Sequence, residues 1–507
     1  IVCPYQASVN QPVKLENMRD IIFTFFNYFV FFYTSMLAIF FVTFAFLSFI
    51  SLKRRKDYYV ESYMRKTIKE SPYTPGISVI APAFNEEKTI IDNVNSMLAL
   101  EYPLFEVVIV NDGSTDNTLE KMTEYYELVE VPYAYIERIK TRPFRRLLKS
   151  SNPKYSRLIV VDKENGGTKA DASNAGINVA SHPYFICTDV DCILEKYALY
   201  RCISPIISSE KQVIAVSGTM MANGCVVKDG QIIDVRTPRT PIPLFQNLEY
   251  MRSYLIGKMG WSAINGMPNV SGGFGLFDRS VAIAAGGYDA PSFAEDMDLI
   301  TRMVGYMCDF SRPYKIVQIP DTCCWTEGPP NLAMLYRQRT RWARGLFQTL
   351  SIHHKMIFKK TYKQMGLLTL PYMFIFEFLA PIIELTGLIV FIYLAFTGAV
   401  NWNTAWMIYL TIYTFCQFLS IVVITYDYYV GMLYKRGYEY LWIIIASILE
   451  PIFYHPIITF CSLRGYLSYL TNRDFKWKNM ERKGFKQKEE SADGTDITAM
   501  KPEPATI

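Results

Sequence analysis

The sequence predicts an α/β domain with a mostly parallel sheet, set between apolar segments that belong in a membrane. Three observations carry that prediction. From Ile21 to Leu52 there are 32 residues without a charge; between Pro75 and about Lys360 short β-rich runs alternate with amphipathic stretches; after Lys363 the apolar character returns. Bulk properties agree, since 507 residues with 50% hydrophobic and 15% aromatic content can fill two or three packed domains and exclude a disordered chain.

The first apolar run exceeds the ~20 residues that a helix needs to cross a bilayer. Lys53, Arg54, Arg55 and Lys56 come directly after it. By the positive-inside rule these hold Ile77 and the residues beyond it in the cytoplasm and leave residues 1–20 outside. Residues 21–52 therefore read as a transmembrane helix and 53–74 as a cytoplasmic linker. The run is too long for a cleavable signal peptide, and no small-residue cleavage site comes after it. The chain begins with Ile1 rather than Met, so its true start is expected upstream. The expected location is the plasma (inner) membrane, multi-pass, with the α/β domain cytoplasmic.

Residues 75–360 form that domain. The runs "ISVIAPAF", "EVVIVNDG", "RLIVVDKE", "YFICTDVD" and "VIAVSGTM" are continuous and apolar, as strands covered on both faces should be. Helical patterns come next at "EEKTIIDNVNSMLAL", "DNTLEKMTEYYEL" and "KADASNAGINVA", an alternation that implies parallel strands. Polar residues gather where the strands end: Asn85 and Glu86, Asp112 and Gly113, Lys163, then Asp189 and Asp191. Ligands of open α/β sheets bind beyond those carboxyl ends, so four strands aim polar groups at one crevice.

Residues 361–470 are expected to supply interfacial and transmembrane helices. Gly366–Ala399 is interrupted by Glu377, Pro381 and Glu384, which predicts an interfacial or broken first part and a span near Ile382–Phe396; Thr404–Tyr426 reads as a clean span. Leu441–Leu463 contains Glu450, Pro451, His455 and Pro456. Because the tail "NRDFKWKNMERKGFKQK" is basic and prefers the cytoplasm, a re-entrant or interfacial helix pair is expected there rather than a kinked span. Residues 471–507 read as a basic, partly disordered cytoplasmic tail. The net charge of +5 arises from these flanking clusters and gives no case for nucleic acid. The ten cysteines show no C-x-x-C and suit neither a zinc site nor a secreted disulfide framework.

Several short motifs could carry chemistry. In "CTDVDCIL", Asp189 and Asp191 repel each other unless a divalent cation with hard-oxygen preference joins them. The plain alternative is a solvated loop. "VNDGSTDNT" offers Asp112 to a nucleotide, or only a helix entry with Ser114, Thr115 or Asp116 as N-cap. "ENGGTKADASNAG" places Lys169 near negative charge, or is a glycine-relieved turn. In "RQRTRWARG", Gln338, Arg341 and Trp342 share one helix face, suited to phosphate contact and sugar stacking. The alternative is an interfacial helix whose Arg337, Arg339 and Arg344 reach lipid headgroups. "FAEDMDLITRM" sets Glu295, Asp296 and Asp298 at a helix start, where the macrodipole alone would favour acids.

Taken together, "APAFNEE", "VNDGSTD", "TDVD", "SGGFG", "AED" and "QRTRW" resemble, in order, the membrane-embedded branch of glycosyltransferase family 2, which includes cellulose, chitin, hyaluronan and poly-N-acetylglucosamine synthases. The resemblance runs from Ile77 to about Gly345. It implies a GT-A (Rossmann-like) catalytic domain that binds a nucleotide sugar, usually UDP-linked, at Asn85, Glu86, Asp112, Lys169, Asp189, Gln338 and Arg341. Asp189 and Asp191 would hold Mg²⁺ or Mn²⁺, and Asp296 would be the catalytic base. Gly273, Phe274, Glu295 and Trp342 would shape the acceptor side, while Glu295 and Asp298 orient the loop and cap the helix. The sequence departs from the family in Ala294, where a threonine is frequent, and in "SGGFG", so sugar specificity does not carry over.

The leading expectation is an inverting, processive synthase of a β-linked polysaccharide, with Glu377, Glu384 and Glu450 along a polar path or in interfacial water. Few membrane segments argue for a single transfer to a lipid acceptor instead, unless self-association or accessory export subunits complete a channel. A non-enzymatic scaffold is disfavoured because every expected carboxylate is present.

Overall fold

The computed structural model describes residues 12–58, 61–228 and 231–471; the basic tail and most of the N-terminal segment lie outside the described residues. Twelve strands are described. They are β1 (Ile77–Ala83), β2 (Phe105–Asp112), β3 (Leu128–Val131), β4 (Phe144–Ser150), β5 (Leu158–Lys163), β6 (Tyr184–Thr188), β7 (Ile193–Leu194), β8 (Gln212–Ala222), β9 (Cys225–Lys228), β10 (Gln231–Val235), β11 (Phe274–Asp278) and β12 (Tyr314–Thr326). Ten of them form one sheet in the order β3-β4-β5-β2-β1-β6-β11-β8-β12-β7, and β9 and β10 form a separate hairpin.

Pairing is parallel for β1 with β2 and β6, for β2 with β5 and for β8 with β12. The carboxyl ends of β5, β2, β1 and β6 therefore lie on one edge. β11 runs antiparallel between β6 and β8, and so delivers its amino end to that same edge. The five apolar runs all became strands, and β1, β2, β5 and β6 are buried almost throughout, as continuous apolar runs require. Helices Ile90–Leu98, Thr118–Tyr125 and Lys169–Val179 cover the sheet. The last packs so closely that a Cβ on Gly176 would lie 2.3 Å from Ile80 Cγ2. This is the mixed, mostly parallel α/β sheet that the sequence implied, flanked at both chain ends by long apolar helices.

Among the described residues, four helices are long and apolar enough to cross a membrane: Thr24–Arg55, Met365–Phe396, Trp402–Val430 and Gly437–Thr471. The first belongs to a continuous helix of 47 residues, Pro12–Tyr58, so the basic cluster continues the helix rather than ending it. Met365–Thr369 and Met373–Phe378 are π-helical, which gives the interrupted first part a helical form. The expected re-entrant pair over Leu441–Leu463 is instead part of one 35-residue helix with Pro451 and Pro456 inside it. The physical reason is that its polar residues find partners. Glu450 pairs with Arg252 at 2.6 Å and His455 with Glu384 at 3.2 Å, so neither needs an interfacial position.

Specific contacts tie the first apolar helix to the sheet domain and to the Trp402–Val430 helix. Phe44 meets Trp261 with ring centroids 4.6 Å apart, Tyr426 donates to the Ala45 carbonyl at 2.6 Å, and Arg55 pairs with Asp321.

Candidate active site

The strand ends build the donor side. Asp112, last in β2, is 5% exposed. Its Oδ1 accepts from Lys163 Nζ at 2.8 Å and from the Gly166 amide at 3.0 Å. Lys163, last in β5 and fully buried, also pairs with Asp171 at 2.5 Å. Gly113 has φ +64°, and a Cβ there would stand 2.7 Å from the Asn165 backbone nitrogen, so this turn requires glycine. Asn85, also left-handed at φ +57°, accepts from the Thr115 amide at 2.8 Å, and the Glu86 amide donates to Thr118 at 2.9 Å. The β1 and β2 loops are thereby clasped together. The helix after β2 starts at Thr118 with Asn117 at the cap, while the Asp116 carboxylate takes up the Thr118 amide at 3.0 Å.

A second network crosses from β6 to the 295–309 helix. Lys169 opens its helix, with Thr168 capping at its side chain. Its Nζ lies 2.6 Å from Asp189 Oδ1 and donates to the Gly272 carbonyl at 2.7 Å. The Gly272 amide in turn donates to Asp296 Oδ2 at 3.0 Å, and the Met297 amide to Asp296 Oδ1 at 2.8 Å. Burial disfavours the Lys169 charge, but Asp189, with Cys187 and Glu295, outweighs it and keeps the ammonium pKa above the usual lysine range. One peptide unit thus separates a carboxylate held by a cation from a carboxylate held by amides. Gly273 lies between Met220 and Asp189, where a Cβ would come within 2.8 Å of Met220 Sδ.

Glu295 joins this network electrostatically. Burial pushes its carboxyl up and Asp296 adds to that, while Arg341 and Lys169 oppose it. Arg341 therefore acts on the same side as Asp296 and Lys169. Asp298 does not cap the helix, whose N-cap position is Ala294 without a side-chain bond. It is buried and bonded by His353 Nε2 at 2.8 Å and by Arg302 Nε at 2.8 Å. Its burial alone would raise the carboxyl, yet these partners bring it below the usual range.

The helix Leu332–Ile352 carries the "RQRTRW" residues. Gln338 accepts from Gln246 at 3.0 Å. Trp342 remains 38% exposed, with the Arg339 guanidinium 4.3 Å from its ring centroid. Arg339 and Arg344 do not reach lipid headgroups. Arg339 is buried and forks onto Glu249 with two bonds of 2.6 Å, and Arg344 is buried and donates to Ser468 at 3.0 Å. These contacts dock the helix on its neighbours, while Arg341 acts electrostatically on Glu295. Phe274 corrects another expectation. It is fully buried, with its ring where a Cβ on Gly218 would lie 2.6 Å away, so it fills the core rather than an acceptor surface.

Asp189, Asp191 and Cys192 offer ligand atoms within 4.8 Å of one another. Two hard carboxylate oxygens fit Mg²⁺ or Mn²⁺. The structure thus brings together Lys169, Asp189, Asp191, Gly273, Glu295, Asp296 and Arg341. It assigns Asn85 and Glu86 to the loop clasp, and the Asp112 carboxylate oxygen bonded at Gly166 to internal neutralisation. Lys163, Gly272, Gln246, Glu249 and His353 had carried no role in the sequence reading. Only Lys163 and Gly272 gave a signal there, as a strand-end polar residue and as part of "SGGFG".

The profile of Glycosyl transferase family 2 matches residues 78–281 and that of Glycosyl transferase family group 2 matches 239–424. The poly-beta-1,6-N-acetyl-D-glucosamine synthase of Staphylococcus aureus (strain COL) is 28% identical over 277 residues, 54% of this chain and 55% of that protein. The Staphylococcus epidermidis enzyme of the same name is 28% identical over 281 residues, 55% and 57% of the two chains. The chain spans about half the length of the curated relatives it matches. Among solved structures, the mannosyltransferase PcManGT from Pyrobaculum calidifontis, in complex with GDP-Man and Mn2+, has a TM-score of 0.49 at 16% identity and covers 86% of this chain and 100% of that one. S. aureus TarS 1-349 in complex with UDP-GlcNAc has a TM-score of 0.32 at 18% identity and covers 54% and 66%. Two glycosyltransferase family 2 profiles thus match the chain in overlapping stretches, residues 78–281 and 239–424, and the ordered motifs lie within them.

Proposed function

We propose that this chain is an inverting glycosyltransferase that takes sugar from a nucleotide sugar, a UDP-sugar first of all, to extend a β-linked polysaccharide at the cytoplasmic membrane face. The observation that carries the reading is the Gly272 peptide. Its carbonyl accepts from the lysine that pairs with Asp189, and its amide holds Asp296. A donor diphosphate and an acceptor hydroxyl would then meet on opposite sides of one rigid link.

Asp296 takes the acceptor proton while that oxygen attacks the anomeric carbon. The bond from that carbon to the diphosphate oxygen breaks, and the nucleoside diphosphate leaves with the electron pair. Lys169 and Arg341 meet the charge that develops on it. Asp189 and Asp191 would hold a Mg²⁺ or Mn²⁺ ion, which when bound supplies Lewis-acid support for the same diphosphate. The two amides on Asp296 fix its orientation and leave lone pairs for the hydroxyl, since an ionised carboxylate has about four acceptor positions. The polymer reading draws on the polysaccharide synthases among the relatives and on Glu384, whose carboxylate bonds to His455 and accepts from Thr459 between two apolar helices.

The test is product sizing. Full-length protein in lipid vesicles is incubated with radiolabelled UDP-N-acetylglucosamine, UDP-glucose, UDP-galactose or UDP-glucuronate. A nucleotide sugar that gives a polymer, with release of UDP, supports the reading. A single lipid-soluble glycoside replaces it with transfer to a lipid acceptor, and no turnover of any donor defeats it.

A further inference from the structure

The helix Leu332–Ile352 presents more than the "RQRTRW" residues. Gln338, Arg341, Trp342, Gly345 and Gln348 succeed one another at helical spacing, so they form one face of it. Gln348, on that face, has no part in the chemistry above. It grips the segment that leads into the Asp296 helix. Its Oε1 accepts from the Phe293 amide at 2.8 Å, and its Nε2 donates to the Pro291 carbonyl at 3.1 Å. Both ends of a primary amide are thus spent on one stretch of backbone. One turn earlier, Gly345 lets the same segment approach until a Cβ would lie 2.5 Å from Ala294 Cβ and 3.0 Å from the Ala294 nitrogen. The Arg344 guanidinium stands 4.3 Å from the Phe293 ring centroid.

The held segment sets where the next helix begins. Ala294 is the N-cap of the 295–309 helix and has no side-chain oxygen with which to cap it. The first helical bond starts there, from the Asp298 amide to the Ala294 carbonyl at 3.0 Å. Asp296 lies in that first turn, and its carboxylate has to meet the Gly272 amide, 3.0 Å away. The turn is therefore fixed from outside, by the neighbouring helix. On that helix Gln348 is two turns beyond Arg341, so about 10 Å of rigid backbone separates the arginine from the amide that holds the base segment.

We propose that Gln348 is a positioning residue for the transfer step: by bonding both Pro291 and Phe293 it sets the first turn of the 295–309 helix, and Asp296 with it, in a fixed place relative to Arg341. The inference rests on the proposed function, in which Asp296 takes the acceptor proton and Arg341 meets the diphosphate charge. Gln348 acts through the segment it holds rather than on the reacting atoms.

The experiment measures kcat, donor KM, UDP affinity and UDP-binding stoichiometry of full-length protein in lipid vesicles. It uses the donor that wild type turns over, and compares wild type, Gln348→Met and Gln348→Glu. Rates counted per UDP-binding site remove any unfolded fraction. Gln348→Met has a similar length and makes neither bond. Its kcat should fall about tenfold with donor KM and UDP affinity within about twofold, because a small displacement of a catalytic group slows transfer while the donor contacts stay in place. Gln348→Glu keeps an acceptor for the Phe293 amide and loses only the bond to Pro291, so its kcat should fall by about threefold. A Gln348→Met enzyme with wild-type kcat overturns the proposal, and so does one whose loss lies in UDP affinity, since that would put the effect on Arg341 alone. If that variant does not fold, Gln348→Glu decides: wild-type kcat there overturns it. Wild type without transfer would defeat the proposed function and this inference with it. Transfer that Asp296→Asn abolishes but the Gln348 variants leave unchanged would defeat the inference alone.

Discussion

At the scale of residues, the site separates carboxylates by what holds them. Asp296 is held by two backbone amides, and Asp189 by an ammonium. Asp296→Asn keeps the shape but cannot take a proton, so transfer should drop about 10³-fold while UDP binding persists. Radiolabel transfer beside equilibrium UDP binding checks this, and substantial turnover would contradict the base assignment. Asp191→Ala should weaken UDP binding only when Mg²⁺ or Mn²⁺ is present; unchanged metal dependence excludes Asp191 from the cation site. Asp298 belongs to stability rather than chemistry. Its carboxyl lies below the usual range because His353 and Arg302 overcome its burial. A depressed carboxyl contributes stability above the ordinary aspartate pKa of about 3.9 and loses it as pH falls through the folded value. Asp298→Asn should therefore melt below wild type at neutral pH, and the gap should close in acid. A gap that stays constant from pH 7 to pH 3 would show that the carboxylate charge contributes nothing.

Among elements, the Leu332–Ile352 helix is docked by residues that the sequence pattern did not single out. Arg339 is buried and depends on Glu249, a partner 90 positions away in the chain. Glu249→Ala leaves that guanidinium without its carboxylate and should cost about 3 kcal/mol, by the usual penalty for breaking a buried pair. Thermal unfolding in detergent measures the loss. The same variant should also lower transfer, because Arg341 and Trp342 ride on this helix; full activity at reduced stability would show that the docking and the site are independent. The "RQRTRW" motif predicted the helix and its outward face, but which arginine turned inward depended on where Glu249 and Tyr454 lay.

For the molecule as a whole, the positive-inside reading predicts a cytoplasmic sheet domain. Lys140 is exposed on that domain and lies outside the site. The described native cysteines are buried or half-buried, which keeps background labelling low. Lys140→Cys should resist a membrane-impermeant maleimide on intact cells and react in inverted vesicles. Labelling on intact cells would reverse the topology.

The sequence by itself determined the strand runs, the crevice at their carboxyl ends and the apolar helices, because periodicity and continuous apolar runs are local properties of the chain. It also placed Asp189, Asp191 and Asp296 in their motifs. Only the tertiary structure decided that Asp112 is neutralised by Lys163, that Phe274 is core and that Gly437–Thr471 is one helix. Each of these turns on a partner distant in sequence. Burial makes a charge or a ring depend on what surrounds it in space, and a linear pattern does not contain that surrounding.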